Sequence, residues 1–152
     1  MMKIFEKILI VLLIALILIQ FYRPEKNNAE NRDVAVFESQ TEMPAKVKAV
    51  FSSKCYDCHS NKTTYPWYSE VAPVSFFIAD HVEEGIEHFN VSQWESYSIK
   101  KKDHKLDELI EEIEANEMPL KSYNLLHGGI TESEKVALIA WARKVRKTYN
   151  IN

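Results

Sequence analysis

The chain begins with an unbroken apolar run, whereas apolar residues later in the chain recur with helical spacing. Every residue over 8–19 is apolar. As a helix with a rise of 1.5 Å per residue, the segment 4–22 has a length of roughly 28 Å, close to the hydrocarbon thickness of a bilayer. Phe21 and Tyr22 lie where interfacial aromatic residues are common. The pattern therefore predicts a membrane-spanning signal-anchor helix over residues 1–22.

A secretory signal peptide that is removed after export is the alternative interpretation, since Lys3 and Lys7 give the segment a basic start. The retained anchor is favoured because no small-residue cleavage pattern directly follows Ile19. Basic residues on both sides of the segment orient it only weakly.

A polar segment over 23–42 follows, without sustained periodicity. Pro24 disfavours a helical conformation at the residue before it. Such a composition is typical of a flexible tether. We therefore expect 23–42 to be a linker and 43–152 to be the folded domain.

Residues 43–152 carry the signals of several helices joined by loops. Leu106, Ile110 and Ile113 have the spacing of the apolar face of an amphipathic helix. Thr131 and Glu134 match a capping box at the start of the last helix. Because no stretch alternates with a period of two over six residues, the predicted fold class is all-α. The predicted helices span 44–53, 73 to between 85 and 88, 92–97, 103–115 and 131–149.

The length, net charge and amino-acid composition of the chain exclude several classes of protein. The chain has 152 residues, which allows one small domain, and its net charge of -3 argues against a dominant electrostatic grip on nucleic acid. Three glycines are too few for most barrels, sandwiches and phosphate-binding loops. Two cysteines are too few for a disulfide-stapled scaffold.

The two cysteines form a chemical motif instead. Cys55, Cys58 and His59 make the C-x-x-C-H pattern of covalent haem attachment. A three-residue offset on a helical turn brings both thiols to one edge of a porphyrin, where they add to its two vinyl groups. The next residue, His59, then reaches the iron from the proximal side. The motif predicts one haem c per chain, with His59 as an iron ligand.

The cysteine pair allows three other interpretations. A disulfide between Cys55 and Cys58 is possible in an oxidising compartment. A thioredoxin-like redox pair normally lies beside a βαβ pattern, which the sequence lacks. A zinc site needs four ligands, and no second cysteine or close histidine pair has the required spacing.

Met118 is the favoured candidate for the second axial ligand of the iron. It precedes Pro119, which stiffens a ligand loop, and a thioether raises the redox potential relative to a second histidine. His81 and His127 are the alternatives. His81 lies among apolar neighbours of a predicted helix, and His127 precedes two glycines in a predicted turn.

The run from Phe51 to Trp141 resembles the bacterial haem-binding-domain family, a small cytochrome c-like domain of envelope proteins. The resemblance implies a haem c held covalently by Cys55 and Cys58 and ligated by His59. The pieces that carry it are Cys55-Tyr56-Asp57-Cys58-His59-Ser60, Tyr65-Pro66-Trp67-Tyr68, Ala72-Pro73-Val74-Ser75, His81-Val82, Gly85, Trp94, Met118-Pro119, Tyr123, His127 and Trp141.

These features predict a membrane-tethered, periplasmic monohaem c-type cytochrome that transfers electrons and is not an enzyme. Because haem c is attached outside the cytoplasm, we expect a single-pass inner-membrane protein with its domain in the periplasm, or a soluble periplasmic protein if the segment is cleaved. The expected partners are redox proteins of the cell envelope. The alternatives are a haem-based sensor or enzyme with an open or displaceable axial site, and a non-haem interaction module with a disulfide.

Overall fold

The computed structural model describes residues 2–150, and this part of the chain is built from helices without a strand. The all-α prediction is confirmed. An isolated bridge between Asn28 and Lys62 is the one β-type pairing within these residues. Two 3-10 segments, Trp67–Glu70 and Val91–Ser96, connect longer helices. The α-helices are α1 Met2–Ile19, α2 Ala35–Gln40, α3 Ala45–Lys54, α4 Tyr56–His59, α5 Val74–His88, α6 Ile99–Ala115, α7 Lys121–His127 and α8 Glu132–Thr148.

Helices α6 and α8 pack together as one wall of the hydrophobic core. Leu106 and Ile110 of α6 are buried, as are Leu138 and Val145 of α8. The apolar side chains that the spacing predicted on each helix thus face the other helix. Their burial provides the favourable free energy of the contact. The predicted capping box at the start of α8 is present.

The centre of the core is Phe37, a residue of α2 with no exposed surface. Its ring makes edge contacts with Trp94, Phe51, Phe89 and Trp141, at centroid distances of 4.9, 5.4, 5.9 and 5.9 Å. Such aromatic pairs contribute about 0.5–1.5 kcal/mol each beyond the area that they bury. Elements distant in sequence are therefore joined through one side chain.

The prediction of a polar linker over 23–42 was wrong. Besides contributing α2 to the core, this segment is hydrogen-bonded to the domain: the Asn27 side-chain amide donates to the Ser60 carbonyl over 2.8 Å, and Trp141 Nε1 donates to the Thr41 carbonyl over 3.0 Å. The six residues of α2 are too few to show a helical repeat of apolar positions. Phe37 is the one buried residue of this helix, and a single apolar position does not reveal a helix in the sequence. The folded domain therefore includes residues before 43.

Most of the predicted helices are confirmed within a few residues by α3, α5, α6 and α8. Helix α6 begins earlier than predicted, because the Ser98 side chain accepts a hydrogen bond from the Lys101 amide and caps the helix there. The predicted turn over 92–97 is a 3-10 segment. Helix α7 was missed because it is short and has no fully buried residue, so its sequence shows no apolar face.

Helix α1 forms within the predicted N-terminal segment, and its large apolar side chains are exposed. Lys3, Glu6 and Lys7 lie in its first two turns. Within residues 2–150, no helix combines the length and the apolarity that crossing a membrane requires. The predicted membrane-spanning helix over 1–22 is therefore not supported by the structure.

Candidate haem site

The C-x-x-C-H motif lies at a break between two helices. Helix α3 ends at Lys54, and α4 is a single turn that begins directly after Cys55. The Cys55 carbonyl accepts hydrogen bonds from the amides of Cys58 and His59, at 3.2 and 2.9 Å. This tight turn brings both cysteines and the histidine to the wall of one cavity.

Both cysteines are free thiols in this structure. Burial raises the pKa of Cys55 to about 12 and that of Cys58 to about 11. The two side chains are therefore neutral thiols at neutral pH. No disulfide joins them in this structure.

The imidazole of His59 is held in one tautomer. Its Nδ1 lies 2.9 Å from the carbonyl oxygen of Gly85 and 2.9 Å from that of Phe89, both in the last part of α5 or just after it. Because a carbonyl only accepts, Nδ1 carries the proton and Nε2 keeps its lone pair. Burial also lowers the pKa of His59, which favours the neutral ring. A neutral imidazole oriented through its second nitrogen is the form that ligates a metal.

Helix α5 reaches the motif so closely because residue 85 is a glycine. A Cβ placed on Gly85 would lie 2.6 Å from the carbonyl oxygen of Cys58 and 3.1 Å from its Cβ. Any side chain there would push α5 away from the C-x-x-C-H turn. The same glycine therefore permits the approach and supplies one of the two carbonyls that orient His59.

The cavity beside the motif has a volume of about 600 Å³. Pockets that bind small molecules and cofactors commonly enclose about 300–1,000 Å³ and have mostly apolar walls. Two thiols, one oriented imidazole and an apolar chamber form a donor set and a shape that fit a haem. The apolar wall includes Phe51, Phe77, Val82, Leu109, Ile113 and Leu126.

A comparison with protein families agrees with this geometry. The model of the haem-binding domain family matches residues 14–144. The chain belongs to the haem-binding domain family. Searches among curated proteins and among solved structures return no match. The match includes 23–42, the segment that packs against the rest of the domain through Phe37.

The haem-binding domain brings all three predicted axial candidates to the same cavity. Met118, His81 and His127 each line it, although they come from three different parts of the chain. Met118 is partly buried and packs against the hydrophobic core. It also borders a small void of about 30 Å³ together with Cys55 and His59, which places it near the motif.

The two histidine candidates differ in their surroundings. Nδ1 of His81 is buried and makes no hydrogen bond within the part of the chain that the structure describes, although a carboxylate oxygen of Glu84 lies 3.8 Å from it and one of Asp80 lies 4.0 Å from it. The ring of His81 lies 4.1 Å from that of Phe77. His127 is exposed, its Nε2 is hydrogen-bonded to the Tyr68 hydroxyl, and its ring stacks on Tyr123 at 4.3 Å. Ligation through Nε2 of His127 would therefore require the loss of the bond to Tyr68.

Several residues of the site were not identified from the sequence as functional. The carbonyls of Gly85 and Phe89 are backbone groups, which every residue has, so the residue types at these positions do not indicate their role. His88 is exposed, yet it also lines the cavity. Tyr123 belongs to the unpredicted α7, and burial raises its pKa to about 12. Its hydroxyl donates to the Ser53 carbonyl over 3.0 Å, which ties α7 to α3.

Proposed function

We propose that this haem-binding domain is an exported monohaem c-type cytochrome that carries single electrons. Cys55 and Cys58 hold the haem covalently, His59 is the proximal iron ligand, and Met118 is the distal one. The observation that carries the proposal is the geometry of His59: its Nδ1 is bound to two carbonyls, and its ring lines the same cavity as two free thiols.

The residues of the chain have separate tasks in this proposal. Cys55 and Cys58 would hold the haem through thioether bonds, each formed when a thiol S–H adds across one vinyl double bond of the porphyrin. No oxidant is consumed in this addition. The carbonyls of α5 keep the His59 ring in place, and the apolar wall excludes water. When bound, the haem supplies an iron that changes its charge by one electron, at a potential tuned by the axial ligands and by burial.

Electron transfer is favoured over catalysis because the cavity offers candidates for both axial positions. A ligand on each face of the haem leaves no open coordination site for a substrate. His81, which lines the cavity and whose Nδ1 makes no hydrogen bond within the described residues, supports a second candidate function. Two different donors, Met118 and His81, could then compete for one position, as in a haem-based sensor with a displaceable ligand.

The proposal places the haem-binding domain in the periplasm, attached to lipid through α1, with redox proteins of the envelope as partners. Its support is the exposed apolar surface of α1 and the need to attach haem c outside the cytoplasm. A soluble periplasmic protein that has lost residues 1–22 is the alternative. Flotation of membranes after a carbonate wash separates these arrangements, because an attached protein stays with the lipid.

A haem stain tests the covalent attachment. The full chain is produced together with a cytochrome c maturation system and run on a denaturing gel. The wild type and the surface control His104→Ala should retain haem, since the His104 side chain is 65% exposed. The double variant Cys55→Ala/Cys58→Ala should lose it. A wild-type protein without covalent haem would contradict the proposal.

Visible spectroscopy tests the choice between carrier and sensor. The reduced wild type should show sharp α and β bands and should not bind carbon monoxide. Rapid binding of carbon monoxide would instead favour the sensor. His59→Ala should lose the six-coordinate spectrum, whereas His104→Ala should keep it.

A further inference from the structure

The apolar surface of α1 is not covered by the rest of the domain. Each of the residues 8–14 has about half or more of its surface exposed, from 49% at Leu9 to 63% at Val11. Successive residues of a helix are rotated by about 100°, so seven consecutive exposed residues cover every side of it. An apolar surface that surrounds a helix completely has lipid as its natural surroundings.

Helix α1 is clamped to the domain at its end. The Gln20 side chain donates to the Ala72 carbonyl over 3.0 Å and accepts from the Ala72 amide over 2.9 Å. The ring of Tyr22 makes an edge contact with Phe76 at 5.6 Å. Arg23 lies 4.0 Å from a carboxylate oxygen of Glu70. These contacts determine which face of the domain adjoins the base of α1.

That face carries four exposed apolar side chains, which we name the aromatic rim: Phe21, Tyr22, Trp67 and Val71. Their exposures are 81%, 69%, 81% and 46%. None of the four lines the haem cavity, so a bound haem would leave them uncovered. Exposed residues such as Phe77 do line the cavity and are not part of the rim.

We propose that the aromatic rim lies at the boundary between the lipid headgroups and the acyl chains, so that the domain rests on the membrane surface in one orientation. This inference depends on the lipid attachment of α1 in the proposed function. Tyrosine and tryptophan favour this boundary because their rings are apolar and their tips are polar. The rim continues directly from α1, since Phe21 and Tyr22 follow its last residue, Ile19, by only two and three positions.

The proposed orientation brings one side of the haem cavity close to the membrane. Pro66 and Tyr68, the neighbours of Trp67 in the chain, line the cavity. Val74, the first residue of α5, lines it as well. An electron-transfer partner that diffuses along or within the membrane surface would therefore reach the cavity from the side that adjoins the aromatic rim.

Site-specific spin labels test the orientation. Trp67→Cys places a label on the rim, and Val136→Cys is the matched control, an apolar residue of α8 that is 64% exposed. In the haem-loaded chain Cys55 and Cys58 are consumed as thioethers, so the introduced thiol is unique. The reduced protein is bound to vesicles of phosphatidylcholine and phosphatidylglycerol. Collision rates are then measured with oxygen, which enters lipid, and with a water-soluble nickel chelate.

The label at residue 67 should show a several-fold higher ratio of oxygen to nickel collisions than the label at residue 136. Equal ratios in protein that floats with the vesicles would overturn the inference and leave the attachment of α1 intact. Dipolar broadening between labels at residue 67 of two molecules would also overturn it, since a second copy would then cover the rim. Failure to float would refute the attachment and this inference together, while the haem stain would still report on haem binding.

Discussion

The carbonyl oxygen of Gly85 lies 2.9 Å from Nδ1 of His59, on a helix that approaches the C-x-x-C-H turn only because residue 85 has no side chain. One residue thus couples two requirements of the site. It allows α5 to contact Cys58, and it orients the imidazole of the proposed iron ligand. Helix packing and ligand geometry cannot be changed independently at this position.

Replacing Gly85 by alanine should disturb the site. The new Cβ would meet the backbone carbonyl of Cys58 at 2.6 Å, and backbone cannot rotate away as a flexible side chain can. We expect a loss of about 1–3 kcal/mol in unfolding free energy, typical of overpacking, together with a lower haem content and a shifted redox potential. Gly129→Ala is the control, because its Cβ would meet only ordinary contacts at 3.6 Å. An unchanged potential in Gly85→Ala would refute the positioning role of this glycine.

Replacing Met118 by leucine should remove the distal ligand while keeping the volume of the side chain. The redox potential should fall or the iron should become five-coordinate, and carbon monoxide should bind faster. Met43→Leu is the matched control, since Met43 also packs against the core but does not line the cavity. If Met118→Leu leaves the potential and the carbon monoxide kinetics unchanged, Met118 is not the ligand. The same measurements on His81→Phe would then test the second donor.

Replacing Phe37 by alanine should destabilise the whole domain, although the residue lies in the segment predicted to be a linker. Removal of a fully buried phenylalanine typically costs about 3–5 kcal/mol. Val36→Ala, at a partly exposed position of the same helix, should cost less than about 1.5 kcal/mol. Urea unfolding of both variants measures the difference. Equal effects would show that α2 does not belong to the cooperative core.

The capping box of α8 should give a pH-dependent contribution to stability. Hydrogen bonds from the Thr131 amide and hydroxyl hold the pKa of Glu134 below its usual value of 4.5. A lowered pKa stabilises the folded state above the pKa of the unfolded chain, and this contribution is lost as the pH falls below 4.5. Glu134→Gln should therefore be less stable than the wild type at pH 7.

The difference between Glu134→Gln and the wild type should shrink as the pH falls from 4.5 toward 3. Thermal unfolding of both proteins across this range measures it. Glu132→Gln is the control, since Glu132 lies in the same helical turn but outside the capping box. A stability difference that does not change with pH would contradict the proposed contribution of the Glu134 carboxylate.

Features that depend on neighbouring residues could be predicted from the sequence alone. Five consecutive residues contain both thiols and the imidazole, and their spacing requires only one helical turn, which α4 provides. The longer helices were also predictable, because a repeated apolar spacing over three or more turns identifies the buried face. The cap of α8 depends on Thr131 and Glu134, three residues apart, and is equally local.

The tertiary structure alone decided the features that depend on distant contacts. Phe37 occupies the centre of the core because residues from four other parts of the chain surround it, and a six-residue helix cannot signal this by periodicity. The orientation of His59 depends on backbone carbonyls 26 and 30 residues away, which every residue type possesses. Met118, His81 and His127 line one cavity only because α5, α7 and the loop before α7 converge there. Such arrangements arise from packing in three dimensions, where neighbours in space are far apart in the chain.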